Sequence, residues 1–247
     1  MEPRFYRKQM DNGRFRSFTV GYKDTDLWIG VDPKSYAPEM QATTLQEIKA
    51  LRSQLEAFIA EHPLFATSFE PISVPQNSPA IVQQMAHAGQ KAQTGPMAAV
   101  AGAFSEFVGR KLAQTFHLKE IVVENGGDLY LQLNQPITLS VYAGNSPLSG
   151  KVGIQIPAAD TPMGVCTSAG TVGPSISFGK ADAVMVVCRN TALADAYATA
   201  FGNQIQSETD IQPQLNRLEQ LPEIESMLIV CNGQIGIKGK YPLKIIG

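Results

Sequence analysis

The chain has few of the residues that build disulfide frames and metal–thiolate sites. Its 247 residues include 3 cysteines and 3 histidines, and the cysteines, Cys166, Cys188 and Cys231, form no C-x-x-C pair. An odd number of scattered cysteines predicts reduced, partly buried thiols in a cytoplasmic protein, not a disulfide scaffold or a zinc site. The histidines are equally scattered along the sequence, which argues against a histidine-ligated metal.

Charge of either sign is also sparse. Charged residues make up 17% of the chain and the net charge is −2, so no basic stripe is available to neutralise the phosphates of a nucleic acid. The one basic cluster lies between Arg4 and Arg16, where Asp11-Asn12-Gly13 favours a hairpin turn over an RNA-binding arm. We therefore expect no nucleic-acid partner.

Long hydrophobic runs are missing as well. No stretch approaches the roughly 18 to 20 apolar residues of a membrane span, and the first residues lack the charged-then-apolar pattern of a signal peptide. We expect no membrane association and a cytoplasmic location. Hydrophobic residues nevertheless make up 44% of the chain, enough for a sizeable core. We expect one domain over residues 1–247, with the proline-rich stretch near 70–80 as a candidate internal division.

Hydrophobic periodicity predicts groups of short strands that alternate with long helices. Strands are predicted at 14–22, 26–31, 121–131 (a hairpin), 137–143, 151–156, 183–188, 226–231 and 234–238. Helices are predicted from a cap at Thr43 or Thr44 to Pro63, at 80–93, from Pro96 to about Phe116, at 191–206 and at 208–222. Because many links are hairpins, the pattern favours an α+β fold of mainly antiparallel sheets packed with long helices.

The helix predicted over 191–206 carries the feature that points most directly to chemistry. Asp195 and Thr199 are four residues apart, so a helix places them on one face about one turn apart. A carboxylate and a hydroxyl offer the hard oxygens that Mg²⁺ prefers, and Mg²⁺ usually completes its coordination with water and a substrate phosphate. The alternative is an ordinary amphipathic helix with one acidic residue near its start, where the helix dipole favours negative charge.

Three segments rich in small residues accompany this helix. Gly126-Gly127-Asp128 predicts a tight hairpin turn. Residues 164–173, which include Thr167-Ser168-Ala169-Gly170, predict a flexible loop whose backbone N–H groups can face a phosphate, although the loop matches neither the P-loop nor the dinucleotide pattern. Ala101-Gly102-Ala103 permits close approach of another backbone or of a flat ligand.

In this order, the segments resemble the ApbE family, the FAD:protein FMN transferases, over roughly residues 90–205. These Mg²⁺-dependent enzymes move FMN from FAD onto a Thr or Ser hydroxyl of an acceptor protein. The resemblance implies an ApbE-like fold in which Gly126, Gly127, Asp128, Thr167, Ser168 and Gly170 contact FAD. It also implies that Asp195 and Thr199, within Ala194–Ala200, bind Mg²⁺ together with a backbone carbonyl, for which Gly102 is the nearest match.

One family feature is missing. ApbE transferases carry a His-x-x-Asp/Asn-Pro-x-Thr-Gly segment before the metal helix, and residues 171–182 contain neither a histidine nor an Asp-Pro pair. The chain is therefore expected to represent a separate cytoplasmic branch. Three functions stay open: an enzyme that transfers FMN or cleaves the FAD pyrophosphate, a non-catalytic binder of a nucleotide or other small ligand, and an interaction subunit. In the first, Asp128, Asp182 or Glu124 orients the attacking group; the oligomeric state, including a homo-oligomer, also stays open.

Overall fold

The computed structural model describes Arg7 and residues 13–169 and 178–246, and the fold is built around one large sheet. Its strands are β1 Arg16–Tyr22, β2 Thr25–Val31, β3 Ile121–Asn125, β4 Asp128–Gln132, β7 Met163–Ser168, β8 Ala183–Cys188, β9 Ile224–Cys231 and β10 Gln234–Gly239. They lie side by side in this order, and every neighbouring pair is antiparallel. A second, three-stranded antiparallel sheet consists of β5 Ile137–Ser140, β6 Val152–Ile156 and β11 Leu243–Ile245.

The helices lie against one face of the large sheet. They are α1 Glu39–Glu61, α2 Leu64–Thr67, α3 Ala80–Ala92, α4 Val100–Thr115, α5 Thr191–Gln204 and α6 Ile211–Asn216. A 3₁₀ turn, Pro96–Ala99, leads directly into α4. The expected α+β arrangement of antiparallel sheets and long helices is confirmed. Within the described residues, no helix is long and apolar enough to cross a bilayer.

The large sheet is buried on both faces. Along β8, Val184 and Val186 belong to the hydrophobic cluster shared with the helices, whereas Met185 and Val187 belong to the cluster shared with the small sheet. Successive side chains of a strand point to opposite faces, so a strand covered on both sides is a continuous apolar run instead of an alternating one. Because both faces of the sheet are covered, polar functional residues are expected at the strand ends and in the turns between strands.

The start of α1 differs from the prediction. The helix begins at Glu39, not at a threonine cap near residue 43. The hydroxyl of Thr43 donates to the carbonyl of Glu39 and the hydroxyl of Thr44 to that of Met40, at 3.0 and 2.7 Å. Both threonines therefore bond back to the preceding turn within the helix, a pattern that a local capping argument cannot distinguish from a true cap.

The predicted loop over 164–173 is also partly wrong. Its first part is strand β7, which continues to Ser168 and pairs with β4 on one side and β8 on the other. Small and hydroxylated residues favour a loop locally, but pairing with two neighbouring strands overrides that preference. Gly164 has a packing reason, because a Cβ there would lie 2.4 Å from Cα of Thr191. The rest of that prediction, residues 170–173, lies outside the described residues.

Candidate functional site

Helices α4 and α5 approach each other closely at the candidate site. The N–H of Gly102 donates a 2.8 Å hydrogen bond to Oδ2 of Asp195. A Cβ at Gly102 would lie 2.5 Å from the carbonyl oxygen of Thr191 and 2.8 Å from Cβ of Asp195, so only glycine permits this approach. The contact that brings Gly102 to Asp195 is thus made by its N–H. The role of a backbone carbonyl from this segment stays a prediction.

A second carboxyl lies under α5, on the sheet. Asp128 is the first residue of β4 and pairs in register with Cys166 of β7. Its backbone oxygen accepts a 3.0 Å bond from the Ser105 hydroxyl of α4, and the Cys166 thiol donates to the carbonyl of Thr191, at the start of α5, at 3.4 Å. The structure therefore brings Asp128 and Asp195 together, although 67 positions separate them in the sequence (195 − 128).

Burial dominates the electrostatics of this carboxyl pair. It raises the pKa of Asp128 well above the usual range, and the nearby charge of Asp195 raises it further. Burial also raises the pKa of Asp195 to about 7, against the opposing effect of the N–H groups of Gly102 and Ala101. Two buried carboxylates that repel each other are stabilised by a proton or a cation, so the pair favours binding one of them.

The glycine turn between β3 and β4 adjoins the pair. Gly126 and Gly127 have φ values of +69° and +106°, which side chains rarely tolerate, and Gly126 is exposed. The carbonyl of Gly127 accepts a 3.2 Å bond from the N–H of Thr167, and its N–H donates to Oε1 of Glu124 at 2.9 Å. Because Oε2 of Glu124 also accepts a 2.6 Å bond from Arg7, this buried carboxylate supports the turn. The predicted hairpin turn is confirmed.

The end of β7 lies beside the second half of α5. A Cβ at Gly202 would lie 3.3 Å from the Ser168 hydroxyl oxygen, so the two elements are in close contact there. Thr199 is one turn from Asp195 toward this contact and is half-buried. Its hydroxyl makes no hydrogen bond to any residue that the structure describes. Thr167 and Ser168 are likewise half-buried, and Gly170 lies outside the described residues.

Asp182, the other candidate catalytic residue, lines a cavity apart from Asp128 and Asp195. That cavity has a volume of about 400 Å³ and is bordered by Tyr142, Asn145 and Asn232, among others. None of its lining residues belongs to the Asp128–Asp195 group. Asp128 is therefore the one of the two candidates that the described contacts join to Asp195.

Sequence reasoning missed Glu106. This α4 residue is buried, and its Oε2 accepts a 2.7 Å bond from the N–H of Thr191, the first residue of α5, and a 3.0 Å bond from Gln84. Arg110 pairs with its other oxygen at 2.7 Å. Glu106 thus joins the start of α5 to α4, close to the Gly102–Asp195 contact. The sequence feature that could have indicated it is that Glu106 is the only acidic residue in a predicted helix made mostly of small and aromatic residues.

The donor atoms suit a hard cation that keeps part of its own hydration. No group of three or more His, Cys, Asp or Glu side chains within residues 13–169 and 178–246 could hold a metal ion. The oxygen atoms that could bind a cation are therefore those of the Asp128 and Asp195 carboxyls, the Thr199 hydroxyl and nearby backbone groups. Mg²⁺ is commonly bound through one or two carboxylates and substrate phosphates, whereas structural zinc needs four nitrogen or sulfur ligands.

Solved flavin transferases share this fold. The structure of the flavin transferase ApbE from Vibrio cholerae aligns with a TM-score of 0.57 at 12% identity, over 90% of this chain and 96% of that one. The apbe protein from Thermotoga maritima aligns with a TM-score of 0.57 at 14% identity, over 92% and 97% of the two chains. The protein therefore has the ApbE-like fold that the motifs predicted.

Its sequence relatives define the family more closely. A family model described as "AbpE bacteria" matches residues 7–229, and the chain belongs to this family. The UPF0280 protein of Methanocaldococcus jannaschii is 38% identical over 225 residues, 89% of each chain. A UPF0280 protein of Methanocella arvoryzae is 40% identical over 198 residues, 80% of each chain. The predicted resemblance to ApbE proteins, as a separate branch, is confirmed.

Proposed function

We propose that this protein binds the flavin nucleotide FAD together with Mg²⁺, with the pyrophosphate next to Asp195 and Thr199. The observation that carries the proposal is the buried pair of carboxyls, Asp128 and Asp195, held together by α4, α5 and the sheet. The ApbE-like fold supports the flavin as the ligand, because the solved proteins with this fold include flavin transferases.

Charge explains why the pair suits a metal-bound pyrophosphate. A cation beside Asp195 would compensate two carboxylates that burial otherwise forces toward protonation. Mg²⁺ would in turn neutralise phosphate oxygens that the two carboxylates alone would repel. The carboxyl of Asp195, whose Oδ2 accepts the Gly102 N–H, would bind the cation, and the Thr199 hydroxyl would supply a second oxygen from the same helix face.

The surrounding backbone suits a phosphate ligand. Gly126 is exposed and has no side chain, so a ligand can approach the turn beside Asp128 closely. Across the site, Thr167 and Ser168 place two half-buried hydroxyl groups at the end of β7. Hydroxyl groups and unobstructed backbone are common means of contacting phosphate oxygens.

Bound FAD could have two fates, transfer of its FMN part to an acceptor or binding without reaction. In FMN transfer, an acceptor hydroxyl oxygen would bond to the FMN phosphorus, the bond from that phosphorus to the bridging oxygen would break, and AMP would leave. Asp128, kept ionised by the cation that compensates the pair, would take the hydroxyl proton. Binding without transfer is the second candidate, favoured by the absence of histidine from residues 171–182.

Titration with FAD, followed by flavin fluorescence with and without Mg²⁺, tests the binding. We expect binding that depends on Mg²⁺ and that Asp195→Asn weakens at least tenfold, while Asp182→Asn, in the cavity bordered by Tyr142 and Asn232, leaves it unchanged. Equal binding by the wild type with and without Mg²⁺, or by Asp195→Asn and the wild type, would contradict the metal role. Release of AMP together with covalently bound flavin on a Thr- or Ser-containing acceptor separates transfer from binding alone, because hydrolysis of the pyrophosphate would release AMP without labelling the acceptor.

A further inference from the structure

Two phenylalanines are exposed and in contact with each other. Phe69 is 62% exposed and Phe178 is 59% exposed, and their ring centroids are 5.5 Å apart at an interplanar angle of 75°. Single exposed apolar residues are ordinary, but an exposed aromatic pair forms a surface that favours another apolar group. The edge-to-face arrangement leaves ring faces available for stacking.

The backbone beside Phe178 is fixed to the end of α5. Its N–H donates a 2.9 Å bond to Oδ1 of Asn203, and its carbonyl accepts a 3.0 Å bond from Gln206. The next residue, Gly179, packs so closely on the helix that a Cβ there would lie 1.8 Å from the carbonyl oxygen of Gly202. Phe178 is therefore attached to the same helix that carries Asp195.

Phe69 is fixed to the segment that leads into α4. A Cβ at Gly95 would lie 1.8 Å from the carbonyl oxygen of Ser68 and 3.1 Å from Cα of Phe69. Gly95 directly precedes the turn Pro96–Ala99, which continues into α4 and Gly102. Both aromatic residues are thus attached to the two helices whose contact forms the carboxyl site.

The distance along α5 suits a ligand with an aromatic ring at one end and phosphates at the other. From Asp195 to Asn203, the helix rises eight residues, or about 12 Å. Ser168, which contacts Gly202, lies between these two points along the helix. A flavin nucleotide has this layout, because a polar ribityl chain separates its isoalloxazine ring from its phosphates.

We propose that Phe69 and Phe178 form the wall on which the isoalloxazine ring of the flavin nucleotide stacks. This assignment rests on the proposed function. The isoalloxazine ring is uncharged and has an apolar dimethylbenzene edge, which matches two phenylalanines with no hydrogen-bonding groups. Adenine, the other ring of FAD, has ring nitrogens or an amino group on all its edges and lacks a comparable apolar edge.

The test compares three ligands, each with Mg²⁺. FAD contains both the isoalloxazine ring and adenine, FMN contains only the isoalloxazine ring, and ADP contains only adenine. Dissociation constants are measured by calorimetry for the wild type, Phe69→Ala, Phe178→Ala and the double variant. We expect each single change to weaken FAD and FMN binding by about tenfold and to leave ADP binding unchanged. Both side chains are exposed, so these variants should fold, and Ile245→Ala, at another exposed residue on β11, is the matched control.

The outcomes separate this assignment from the proposed function. If the wild type binds none of the three ligands, the proposed function fails and the aromatic assignment fails with it. If the wild type binds FAD and the phenylalanine variants bind it equally well, only the aromatic assignment is overturned. Weaker ADP binding with unchanged FMN binding would also overturn it, because adenine would then be the ring that stacks.

Discussion

The N–H of Gly102 donates a 2.8 Å hydrogen bond to Oδ2 of Asp195, across the interface between α4 and α5. This bond orients the carboxyl group, and the N–H of Ala101 interacts with the same group. It also depends on a backbone approach that no side chain at position 102 would permit. The chemistry of Asp195 is therefore tied to the packing of two helices.

Gly102→Ala should disturb stability and ligand binding together. The new Cβ would meet the backbone oxygen of Thr191 at 2.5 Å, and backbone cannot move aside as a flexible side chain can. We expect a loss of about 1 to 3 kcal/mol in the free energy of unfolding, measured with urea, and weaker binding of FAD with Mg²⁺. Gly21→Ala is the control, since a Cβ there meets only the carbonyl oxygen of Thr25, at 3.8 Å. Equal effects at the two positions would contradict the prediction.

The stability of the ligand-free protein should fall as the pH rises from about 4 to 7. Burial raises the folded-state pKa of Asp195 from 3.8 to about 7, so in this window the folded protein binds more protons than the unfolded chain. The free energy of unfolding then decreases with increasing pH. Asp195→Asn removes the contribution of Asp195 but not that of buried Asp128. The dependence should therefore become shallower, and the variant should be more stable than the wild type at pH 8 by on the order of 2 kcal/mol.

Urea unfolding at several pH values checks this prediction. Asp24→Asn is the control, because the Asp24 side chain is 94% exposed. Wild type and Asp195→Asn with parallel pH profiles would show that Asp195 does not titrate in this window. Added Mg²⁺ and FAD should increase the stability of the wild-type protein at pH 8 more than that of Asp195→Asn, since a ligand stabilises the folded state in proportion to how tightly it binds.

Local sequence patterns were sufficient for the parts of the site that lie within one element. Helical spacing correctly placed Asp195 and Thr199 on one helix, and the Gly126-Gly127 pair correctly predicted the turn. The strand character of β7 could not be predicted, because it comes from pairing with β4 and β8 and not from the residues themselves.

Contacts between distant elements were also beyond local reasoning. Glu106 belongs to no recognisable motif. Its role depends on its hydrogen bond to the first residue of α5, which is distant in the sequence. The meeting of Asp128 with Asp195 depends on strand register and on helix packing, neither of which a periodic pattern fixes. The resemblance to ApbE proteins placed Asp128 and Asp195 in one site, whereas composition and spacing alone did not.

Glu106→Ala should destabilise the protein more than an exposed substitution does. It removes the acceptor of the Thr191 N–H and leaves that buried donor, along with Arg110, without its partner. We expect a loss of about 2 to 4 kcal/mol in urea unfolding, and a smaller loss for Glu106→Gln, whose amide oxygen can still accept the bond. Glu61→Ala, at the exposed end of α1, should have little effect. Equal stabilities for Glu106→Ala and Glu61→Ala would exclude this helix-joining role.

The three cysteines should react slowly in the folded protein. Cys166, Cys188 and Cys231 are all buried and unpaired, and burial raises the pKa of each thiol above its usual value. The thiolate is the reactive form, so a raised pKa and restricted access both slow modification. With an aromatic disulfide reagent at pH 8, we expect negligible rapid reaction of the native protein and reaction of all three thiols in concentrated urea. Rapid modification of Cys166 in the native state would instead indicate an accessible, reactive thiol beside Asp128 and would contradict this prediction.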